Sequence, residues 1–413
     1  MTSAKDSLSY PKENIKVLLL EGIHPAAVEN FNTHDFYNIE THDVAWSEAE
    51  LLEKIADVHL IGVRSKTQIT QKVIEKADKL KAIGCFCIGT NQVDLKAAMK
   101  AGVTVFNSPY SNTRSVAELV IAESIMLMRR IPLRDKKAHE GVWLKDAKES
   151  YEIRGKKIGI VGYGHIGSQV SVLAENMGLD VLYYDVEPKL PMGNASRINV
   201  LDELLSHSDI VTLHVPATSS TEKMIGHEEL SKMKKGSILL NLSRGSVVDI
   251  TALKDALESG HISGAGIDVY PEEPESKGEV FRSDLQNLPN VILTPHIGGS
   301  TLEAQYNIGQ DVSAKLINLI DEGTTVGSHT VPPINLPKQK DAHRILHIHE
   351  NKPGVLSEIN NLLSEMDINI LGQYLKTNEE IGYVVLDIDQ EYDEGILEEM
   401  NKVKHTIRAR ILY

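Results

Sequence analysis

The segment KIGIVGYGHIG, which runs from Lys157 to Gly167, sets the strongest limit on how this chain can fold. Its first residues predict a short buried strand, and the glycines that follow, Gly162, Gly164 and Gly167, have the spacing G-x-G-x-x-G. In this spacing the first glycine makes a tight turn, the second lets the backbone approach a pyrophosphate, and the third lets a helix pack closely on the strand. The free N–H groups at the start of that helix attract phosphate. A structural glycine turn is an equally good explanation of the motif taken alone.

The next predicted strand supplies a second feature of a dinucleotide site. It covers residues 181–184 and is followed by Asp185, at the interval from the glycines where an acid meets the adenosine ribose. A carboxylate there accepts hydrogen bonds from a ribose 2′-OH and repels a 2′-phosphate, and residues 186–188 contain no arginine that could hold such a phosphate. The pattern therefore predicts NAD rather than NADP. The alternative is that Asp185 only caps the end of the strand.

The acidic composition excludes some classes of partner. The 413 residues carry a net charge of −15 with a pI near 5.5, which opposes binding to nucleic acid or to an anionic membrane surface. The chain lacks an apolar run of about 18 residues, and residues 1–14 lack the apolar core of a secretion signal. Both cysteines, Cys85 and Cys87, lie on one face of a predicted strand, which is poor geometry for a disulfide. We therefore expect a cytoplasmic protein with reduced thiols and no metal site.

Two sets of alternating strands and helices predict two α/β domains, each a doubly wound parallel sheet. The first is a flavodoxin-like substrate-binding domain formed by residues 1–108 and 299–337, and the second is a Rossmann NAD-binding domain formed by residues 109–298. A length of 413 residues leaves room for one more domain. The helix that returns to the first domain, at about 301–321, is predicted to open with a capping box of Ser300 and Glu303.

A third domain, residues 338–413, is predicted after a proline-containing linker at 324–341. Its order of elements predicts the ferredoxin-like βαββαβ arrangement. Its strands are predicted at 344–349, 368–375, 381–389 and 406–412, and its helices at 354–366 and 391–402. In the first two domains, strands are predicted at 15–20, 58–63, 80–88, 103–106, 157–161, 181–184, 210–215, 237–242, 264–269 and 291–294. Helices are predicted at 25–31, 48–55, 70–77, 95–101 and 115–128, the last one broken near Pro132.

Polar side chains follow several predicted strands of the second domain, at the sheet edge where ligands bind in doubly wound folds. They are Arg244 in NLSRG, Asp268 and Glu273 in GIDVYPEEP, and His296 in TPHIGGST. An arginine can hold a carboxylate through two parallel hydrogen bonds, and a histidine can take a proton from a hydroxyl. A carboxylate behind the histidine would fix its ring, and Glu272 suits that role as well as Glu273. Taken singly, these residues could also be a surface ion-pair arginine, a solvated acid and a satisfied core histidine.

These motifs, together with GYGHIG, resemble those of the D-isomer-specific 2-hydroxyacid dehydrogenase family across residues 15–325. The resemblance implies that Arg244 binds the substrate carboxylate and that His296 is the catalytic acid or base. It also implies that Glu273, rather than Glu272, is the partner of His296, and that Asp268 lies near the nicotinamide. The cofactor contacts expected on this basis are Gly162, Gly164, His165, Ile166, Gly167, Asp185, Val215, Pro216, Asp268 and His296.

Further motifs resemble the branch of this family that acts on 3-phosphoglycerate and carries an ACT domain. In VRSKT, Arg64 and Ser65 are expected to hold substrate, as is Asn112. A substrate that bears both phosphate and carboxylate needs at least two cationic anchors, and Arg244 serves only the carboxylate. In GVWLK, Lys145 is expected in a loop that reaches a neighbouring subunit of a homotetramer, although an ordinary solvated lysine explains it as well.

The C-terminal segment HIHENKPG resembles the L-serine site of bacterial ACT domains, with His349, Asn351 and Asn369 as the matching residues. Asparagine side chains supply both the donors and the acceptors that serine needs, although Asn351 could instead cap the helix that follows. The pair Asp341–Ala342 stands where the bacterial pattern has two glycines. That difference leaves the strength of coupling between serine and catalysis open.

The resemblance therefore implies NAD-dependent oxidation of 3-phosphoglycerate to 3-phosphohydroxypyruvate, the first step of L-serine biosynthesis, with feedback inhibition by L-serine. Two other interpretations are another D-2-hydroxyacid dehydrogenase and an NAD-sensing binding protein of the same fold. Arg64 and the ACT domain argue against the former, and the biosynthetic ACT domain argues against the latter. The sequence leaves open the direction of the reaction in the cell and any activity on 2-oxoglutarate.

Overall fold

The computed structural model describes residues 12–274, 279–337, 342–389 and 394–412. Its contacts divide the chain into two compact units, Met1–Ser111 with Gln305–Tyr413, and Asn112–Ala304. The predicted domain boundaries at 108, 298 and 337 stay a prediction. Asp341, one half of the predicted hinge pair, lies outside the described residues. No helix in the described part of the chain is both long and apolar enough to cross a membrane.

The first unit contains a parallel sheet with the flavodoxin-like order β2-β1-β3-β4-β5. All of its strands except β2 are buried along their whole length, as expected for a parallel sheet covered by helices on both faces. The strands are β1 Val17–Leu19, β2 Ile39–Thr41, β3 Leu60–Val63, β4 Ala82–Cys85 and β5 Thr104–Asn107. The helices are α1 Pro25–Thr33, α2 Glu48–Lys54, α3 Gln71–Lys76 and α4 Leu95–Lys100.

The second unit contains a seven-stranded parallel sheet with the order β12-β11-β10-β9-β6-β7-β8. This is the Rossmann order, and the chain changes direction across the sheet between β6 and β9, where such folds bind dinucleotides. Its strands are β6 Lys157–Val161, β7 Asp180–Tyr184, β8 Ser196–Arg197, β9 Ile210–Leu213, β10 Ile238–Asn241, β11 Gly264–Ile267 and β12 Val291–Leu293. Its helices are α5 Thr113–Met128, α6 Ile131–His139, α7 His165–Asn176, α8 Leu201–His207, α9 His227–Lys232 and α10 Ile250–Glu258.

The long helix α11, Leu302–Glu322, returns the chain to the first unit. A glycine on β4 lets it pack closely, because a Cβ added at Gly84 would lie 2.7 Å from Val312 and 2.9 Å from Leu316. Its first turn is capped by Thr301, whose hydroxyl accepts a hydrogen bond from the Ala304 N–H at 3.1 Å. The predicted cap at Ser300 is therefore wrong by one residue, since Thr301 is the residue placed three positions before that free N–H.

The C-terminal elements form an antiparallel sheet of order β14-β15-β13-β16. The prediction of a βαββαβ arrangement is confirmed. The elements are β13 His343–Glu350, α12 Val355–Glu365, β14 Ile370–Thr377, β15 Ile381–Ile388, α13 Glu394–Lys402 and β16 Thr406–Leu412. Strand β15 is buried throughout because its two faces have different partners. Val384 and Leu386 pack among residues of α12 and α13, whereas Tyr383 and Val385 pack with Val331.

Most predicted strands occur within a few residues of their expected bounds. The sequence missed β2 and β8, which are edge strands of three and two residues. It predicted a break of the helix near Pro132, and the structure has that break at Arg130, whose φ is 53°. Pro132 then lies in the first turn of a new helix, α6, where proline is well tolerated because its missing N–H is not needed.

Candidate active site

The glycine turn after β6 has the shape that a dinucleotide pyrophosphate needs. Gly162 has a φ of 93°, and a Cβ there would lie 2.4 Å from the carbonyl oxygen of His214. A Cβ at Gly167 would lie 2.2 Å from the carbonyl oxygen of Gly162. By contrast, a Cβ at Gly164 would meet no atom within 4 Å. The first and third glycines are therefore required by packing within the protein, whereas the second leaves open space beside the backbone.

The start of α7 and the end of β9 flank this open space. α7 begins at His165 and continues through Ile166, so the N–H groups of its first turn lie at the glycine turn. Val215 and Pro216 follow β9, the strand next to β6; Val215 is partly exposed and Pro216 is exposed. A Cγ atom of Val215 is 3.0 Å from the position of a Cβ on Gly162. These residues fit an NAD phosphate group held by the helix N-terminus.

Asp185 is fixed to the same turn by its carboxylate. One oxygen accepts the N–H of Tyr163 at 2.8 Å, and the other accepts the N–H of Glu187 at 2.9 Å. Each carboxylate oxygen keeps a further lone pair for an outside donor. The side chain therefore caps the strand end and is also oriented for a ribose hydroxyl, so the two interpretations of Asp185 are compatible.

His296 and Glu273 form a hydrogen-bonded pair. The distance from His296 Nδ1 to Glu273 Oε2 is 2.8 Å, and Glu273 Oε1 accepts the Tyr270 N–H at 3.1 Å. If Nδ1 carries the proton given to Glu273, Nε2 is free to accept a proton from a substrate. The bond to Glu273 raises the pKa of His296 in spite of burial. Burial opposes ionisation of Glu273, but the hydrogen bond from His296 keeps its pKa below the usual range.

Asp268 holds the turn that carries His296. Its buried carboxylate accepts the Thr294 hydroxyl at 2.6 Å and the N–H groups of Ile297 and Gly298, each at 2.8 Å. Its carbonyl oxygen accepts the His296 N–H at 2.8 Å, and His296 itself has a left-handed φ of 53°. This arrangement assigns Asp268 a positioning role that the sequence did not predict.

Arg244 lies at the same edge of the sheet. It follows β10 and is partly buried, and its guanidinium donates to the Ser243 carbonyl oxygen at 2.7 Å. The next residue must be glycine, because a Cβ on Gly245 would lie 1.9 Å from the Tyr270 carbonyl carbon. The positive charge of Arg244 helps to lower the pKa of Glu273. It also acts to lower the pKa of His296, but less strongly than Glu273 raises it. The structure thus brings the three predicted catalytic residues together.

A buried acid beneath this edge was missed in the sequence. Glu123 on α5 is 1% exposed, and neither of its carboxylate oxygens has a hydrogen-bond partner among the described residues. Burial, with a contribution from the charge of Asp268, raises its pKa to about 8. A Cβ on Gly266 would lie 2.3 Å from its Oε2, so that glycine makes room for the acid. The signal in the sequence was a single acid in the otherwise apolar stretch around it.

Asn112 and Lys145, both predicted substrate residues, lie in the second unit in different surroundings. Asn112 is buried just before α5, and its Nδ2 is 2.1 Å from the position of a Cβ on Gly299. The second glycine of the GG pair therefore gives room to Asn112. Lys145 is exposed in a loop in which Trp143 is also 82% exposed. Asn112 is built into the unit, whereas Lys145 is available to solvent or to another subunit.

Arg64 and Ser65 follow β3 in the first unit, in a loop fixed by an acid that the sequence analysis overlooked. The carboxylate of Glu21 accepts the N–H groups of residues 64, 65 and 66 at 3.1 Å each and that of Thr67 at 2.8 Å. Gln92 donates to the carbonyl oxygen of Arg64. The backbone of this loop is therefore held from both sides, while the side chain of Arg64 is partly exposed and that of Ser65 is exposed.

The residues of the predicted serine site lie in the C-terminal sheet, but not all together. His349 is buried on β13, and Asn351, just after that strand, donates to the Asn378 carbonyl oxygen at 2.7 Å. Asn369 precedes β14, where residue 370 pairs with residue 388 at the opposite end of β15. With strands of eight residues, Asn351 and Asn369 of one chain are about 25 Å apart. A single serine cannot contact both in one chain.

Comparison with known proteins identifies the family. Residues 121–298 match the model for the NAD-binding domain of D-isomer specific 2-hydroxyacid dehydrogenases. Residues 345–408 match the model for AHAS small subunit-like ACT domains. Among solved structures, D-lactate dehydrogenase from Aquifex aeolicus, complexed with NAD and lactic acid, is similar with a TM-score of 0.66 and 27% identity. The match covers 77% of this chain and 100% of that one.

Two full-length relatives narrow the comparison. D-3-phosphoglycerate dehydrogenase of Escherichia coli (strain K12) is 53% identical over 408 residues, which cover 98% of this chain and 99% of the relative. The enzyme of the same name from Haemophilus influenzae is 50% identical over 99% of this chain and 100% of its own length. The chain therefore belongs to the D-isomer-specific 2-hydroxyacid dehydrogenase family, in the group represented by these D-3-phosphoglycerate dehydrogenases.

Proposed function

We propose that this protein oxidises 3-phosphoglycerate to 3-phosphohydroxypyruvate with NAD. The observation that carries the proposal is the His296–Glu273 pair, 2.8 Å apart beside Arg244, on a chain related over its full length to D-3-phosphoglycerate dehydrogenases. A histidine held by a carboxylate suits removal of a hydroxyl proton, which the oxidation of an alcohol requires. NAD supplies the hydride acceptor.

Each residue of the site has a task in this reaction. His296 takes the C2 hydroxyl proton at Nε2, because Nδ1 is engaged with Glu273. Glu273 orients the ring and stabilises the imidazolium that forms, in keeping with the raised pKa of His296. Arg244 binds the substrate carboxylate through two hydrogen bonds. Asp268 keeps the His296 turn in place and lies at the nicotinamide end, while Asp185 selects NAD through the ribose.

The phosphate group of the substrate is assigned to the loop that follows β3. Arg64 and Ser65 are its proposed anchors. Asn112, and Lys145 of a neighbouring subunit, are the further residues proposed to bind substrate. Support comes from the Glu21 carboxylate, which fixes the backbone of the Arg64 loop and so limits the positions of its guanidinium. A fixed loop reduces the entropy lost when an anion binds.

L-serine is the proposed feedback inhibitor, bound at His349, Asn351 and Asn369. Because Asn351 and Asn369 lie at opposite ends of the sheet in one chain, the site needs two copies of the ACT domain. The exposed edge strand β14, with Leu371, Tyr374 and Leu375 at least 40% exposed, suits such pairing. We further propose that the protein is a homotetramer and acts in the cytoplasm. Each chain would have the substrate, NAD and ACT domains predicted from the sequence.

The experiment that tests the substrate assignment compares two acids. Arg64→Ala should lower kcat/KM for 3-phosphoglycerate by roughly ten- to a hundredfold more than that for D-glycerate, because only the former loses an ionic partner. Lys66 is an exposed lysine of the same loop, so Lys66→Ala is the matched control. It should leave kcat/KM unchanged for both acids. Equal losses on both acids would show that Arg64 acts on a group they share, and a wild type more efficient with D-glycerate would reject the substrate.

A further inference from the structure

A cluster of basic side chains lies where the last strand of the ACT domain faces the first sheet. We call Lys81, Arg408 and Arg410 the basic cluster. Arg408 on β16 donates from Nη1 to the carbonyl oxygen of Leu80. Arg410 donates from Nη2 to the carbonyl oxygens of Lys81 at 3.3 Å and of Gly102 at 3.1 Å. Both arginines therefore connect β16 to the segments that enter β4 and β5.

The basic cluster has no acidic partner among the described residues. The bonds of Arg408 and Arg410 end on neutral carbonyl oxygens, and the buried Nε of Arg410 has no partner. By contrast, Arg344 on the neighbouring strand β13 is paired with an acid, since its Nε lies 2.7 Å from the Asp387 carboxylate. The cluster thus differs from the paired arginine beside it.

Burial and mutual repulsion disfavour the charged forms of these side chains. Burial and the charges of Arg410 and Arg408 lower the pKa of Lys81 to about 7. Burial and the charge of Arg408 likewise lower the pKa of Arg410 to about 9. Like charges brought together away from water are unfavourable unless a counterion joins them. This is notable in a chain whose net charge is −15 and which has acids in excess elsewhere.

We propose that the basic cluster binds a phosphate-like oxyanion that links the ACT domain to the first sheet. The adjoining cavity, of about 10 Å³ and lined by Arg408, Arg410 and Tyr383, has room for one water. The oxyanion therefore lies outside this cavity, on the solvent side of the basic cluster, since Lys81 and Arg408 are partly exposed. The ammonium of Lys81 and the remaining N–H groups of Arg408 supply charge-assisted hydrogen bonds there.

This site is separate from the proposed substrate residues. None of the basic cluster belongs to the Arg64 loop or to the Arg244 edge, so occupancy would not depend on the reaction. Its ligand bridges two parts of the first unit, and it should stabilise the folded state in proportion to its concentration. Inorganic phosphate and the phosphate group of a small metabolite share this chemistry.

The test is calorimetric titration of the full-length protein with inorganic phosphate and, separately, with glycerol 3-phosphate, at matched ionic strength. All proteins carry Arg64→Ala, so that phosphate cannot bind at the proposed substrate anchor. Adding Lys81→Gln or Arg408→Gln should weaken binding by roughly ten- to a hundredfold, the effect of losing one charge-assisted hydrogen bond. Lys79→Gln, an exposed lysine two residues from Lys81, is the control and should bind as the parent does.

The site is supported if Lys81→Gln weakens the binding of either ligand and Lys79→Gln does not. The ligand that binds more tightly, inorganic phosphate or glycerol 3-phosphate, then indicates the source of the anion. Lys81→Gln should fold normally, because the Lys81 ammonium makes no hydrogen bond or ion pair in the described structure. Circular dichroism of this variant should therefore match that of the parent. No binding at millimolar concentration, or equal affinity in the parent and in Lys81→Gln, would overturn the proposal.

Discussion

The reactivity of His296 comes from the residues around it. A left-handed turn presents the ring, Asp268 holds the turn through its carboxylate and its carbonyl oxygen, and Glu273 binds Nδ1. Each of these acts before any substrate is present. The site is therefore preorganised, so little rearrangement is needed when the C2 proton is taken.

Glu273→Gln should change both the rate and the pH dependence of oxidation. The carboxylate raises the pKa of His296, so its loss lowers that pKa and keeps the imidazole neutral at more acidic pH. The acid limb of the kcat/KM profile should therefore move to lower pH. Turnover should fall by roughly 10²- to 10⁴-fold, because an amide can favour the wrong ring tautomer. Glu272→Gln is the control, and a profile that moves equally in both variants would rule out the pair.

Glu123→Gln should make the protein relatively more stable as pH rises. Burial raises the folded-state pKa of Glu123 to about 8, so between its ordinary value and that pH the folded protein holds a proton that the unfolded chain has released. The wild type therefore loses up to about 1.4 kcal/mol of stability per pH unit across this window, and glutamine does not titrate. Thermal unfolding at several pH values, with the exposed Glu118→Gln as control, measures the slope. A difference between variant and wild type that is constant with pH would contradict a neutral Glu123.

Some of these residue contacts could be predicted from the sequence and others could not. Gly162, Arg244 and His296 stand out because each follows a predicted apolar strand, and the topology brings strand ends to one edge. Glu21 and Glu123 were overlooked, since their importance depends on N–H groups or on burial by segments far away in the chain. A local sequence pattern does not show which distant segment a side chain will contact.

At the scale of elements, the sheets were predictable except for two short edge strands. Fully buried strands such as β3 and β10 give apolar runs that stand out from polar loops. The edge strands β2 and β8 are short and partly exposed, so they carry no such run. The register of the ACT sheet was also not predictable, and it places Asn351 and Asn369 at opposite ends of the sheet in one chain.

Asn351→Ala and Asn369→Ala should each weaken inhibition by L-serine. Losing one amide that hydrogen-bonds the ligand costs about 1–3 kcal/mol, so the inhibitory concentration should rise by roughly five- to a hundredfold. Activity without serine should stay the same, and Asn361→Ala, an exposed residue of α12, should leave inhibition intact. Serine titration of NADH formation provides the measurement. Failure of calorimetry to detect serine binding to the wild type would reject the regulatory site.

At the scale of the whole molecule, the proposed sites are distributed between the two units. The unit formed by Asn112–Ala304 contains the glycine turn and the His296–Glu273 pair. The other unit contains the Arg64 loop, the ACT sheet and the basic cluster. The sequence predicted three domains from composition and periodicity. It could not predict that the ACT elements and the first sheet form one compact unit, because the bonds of Arg408 and Arg410 to backbone carbonyl oxygens link segments far apart in the chain.

The most direct test of the proposed activity is the initial rate of NADH formation when the full-length protein is mixed with NAD and 3-phosphoglycerate. We predict steady formation that requires both reactants, exceeds the rate with D-lactate or D-glycerate, and falls by roughly 10²- to 10⁴-fold in His296→Ala. A rate with 3-phosphoglycerate no higher than the rate without it, or an unchanged rate in His296→Ala, would contradict the account.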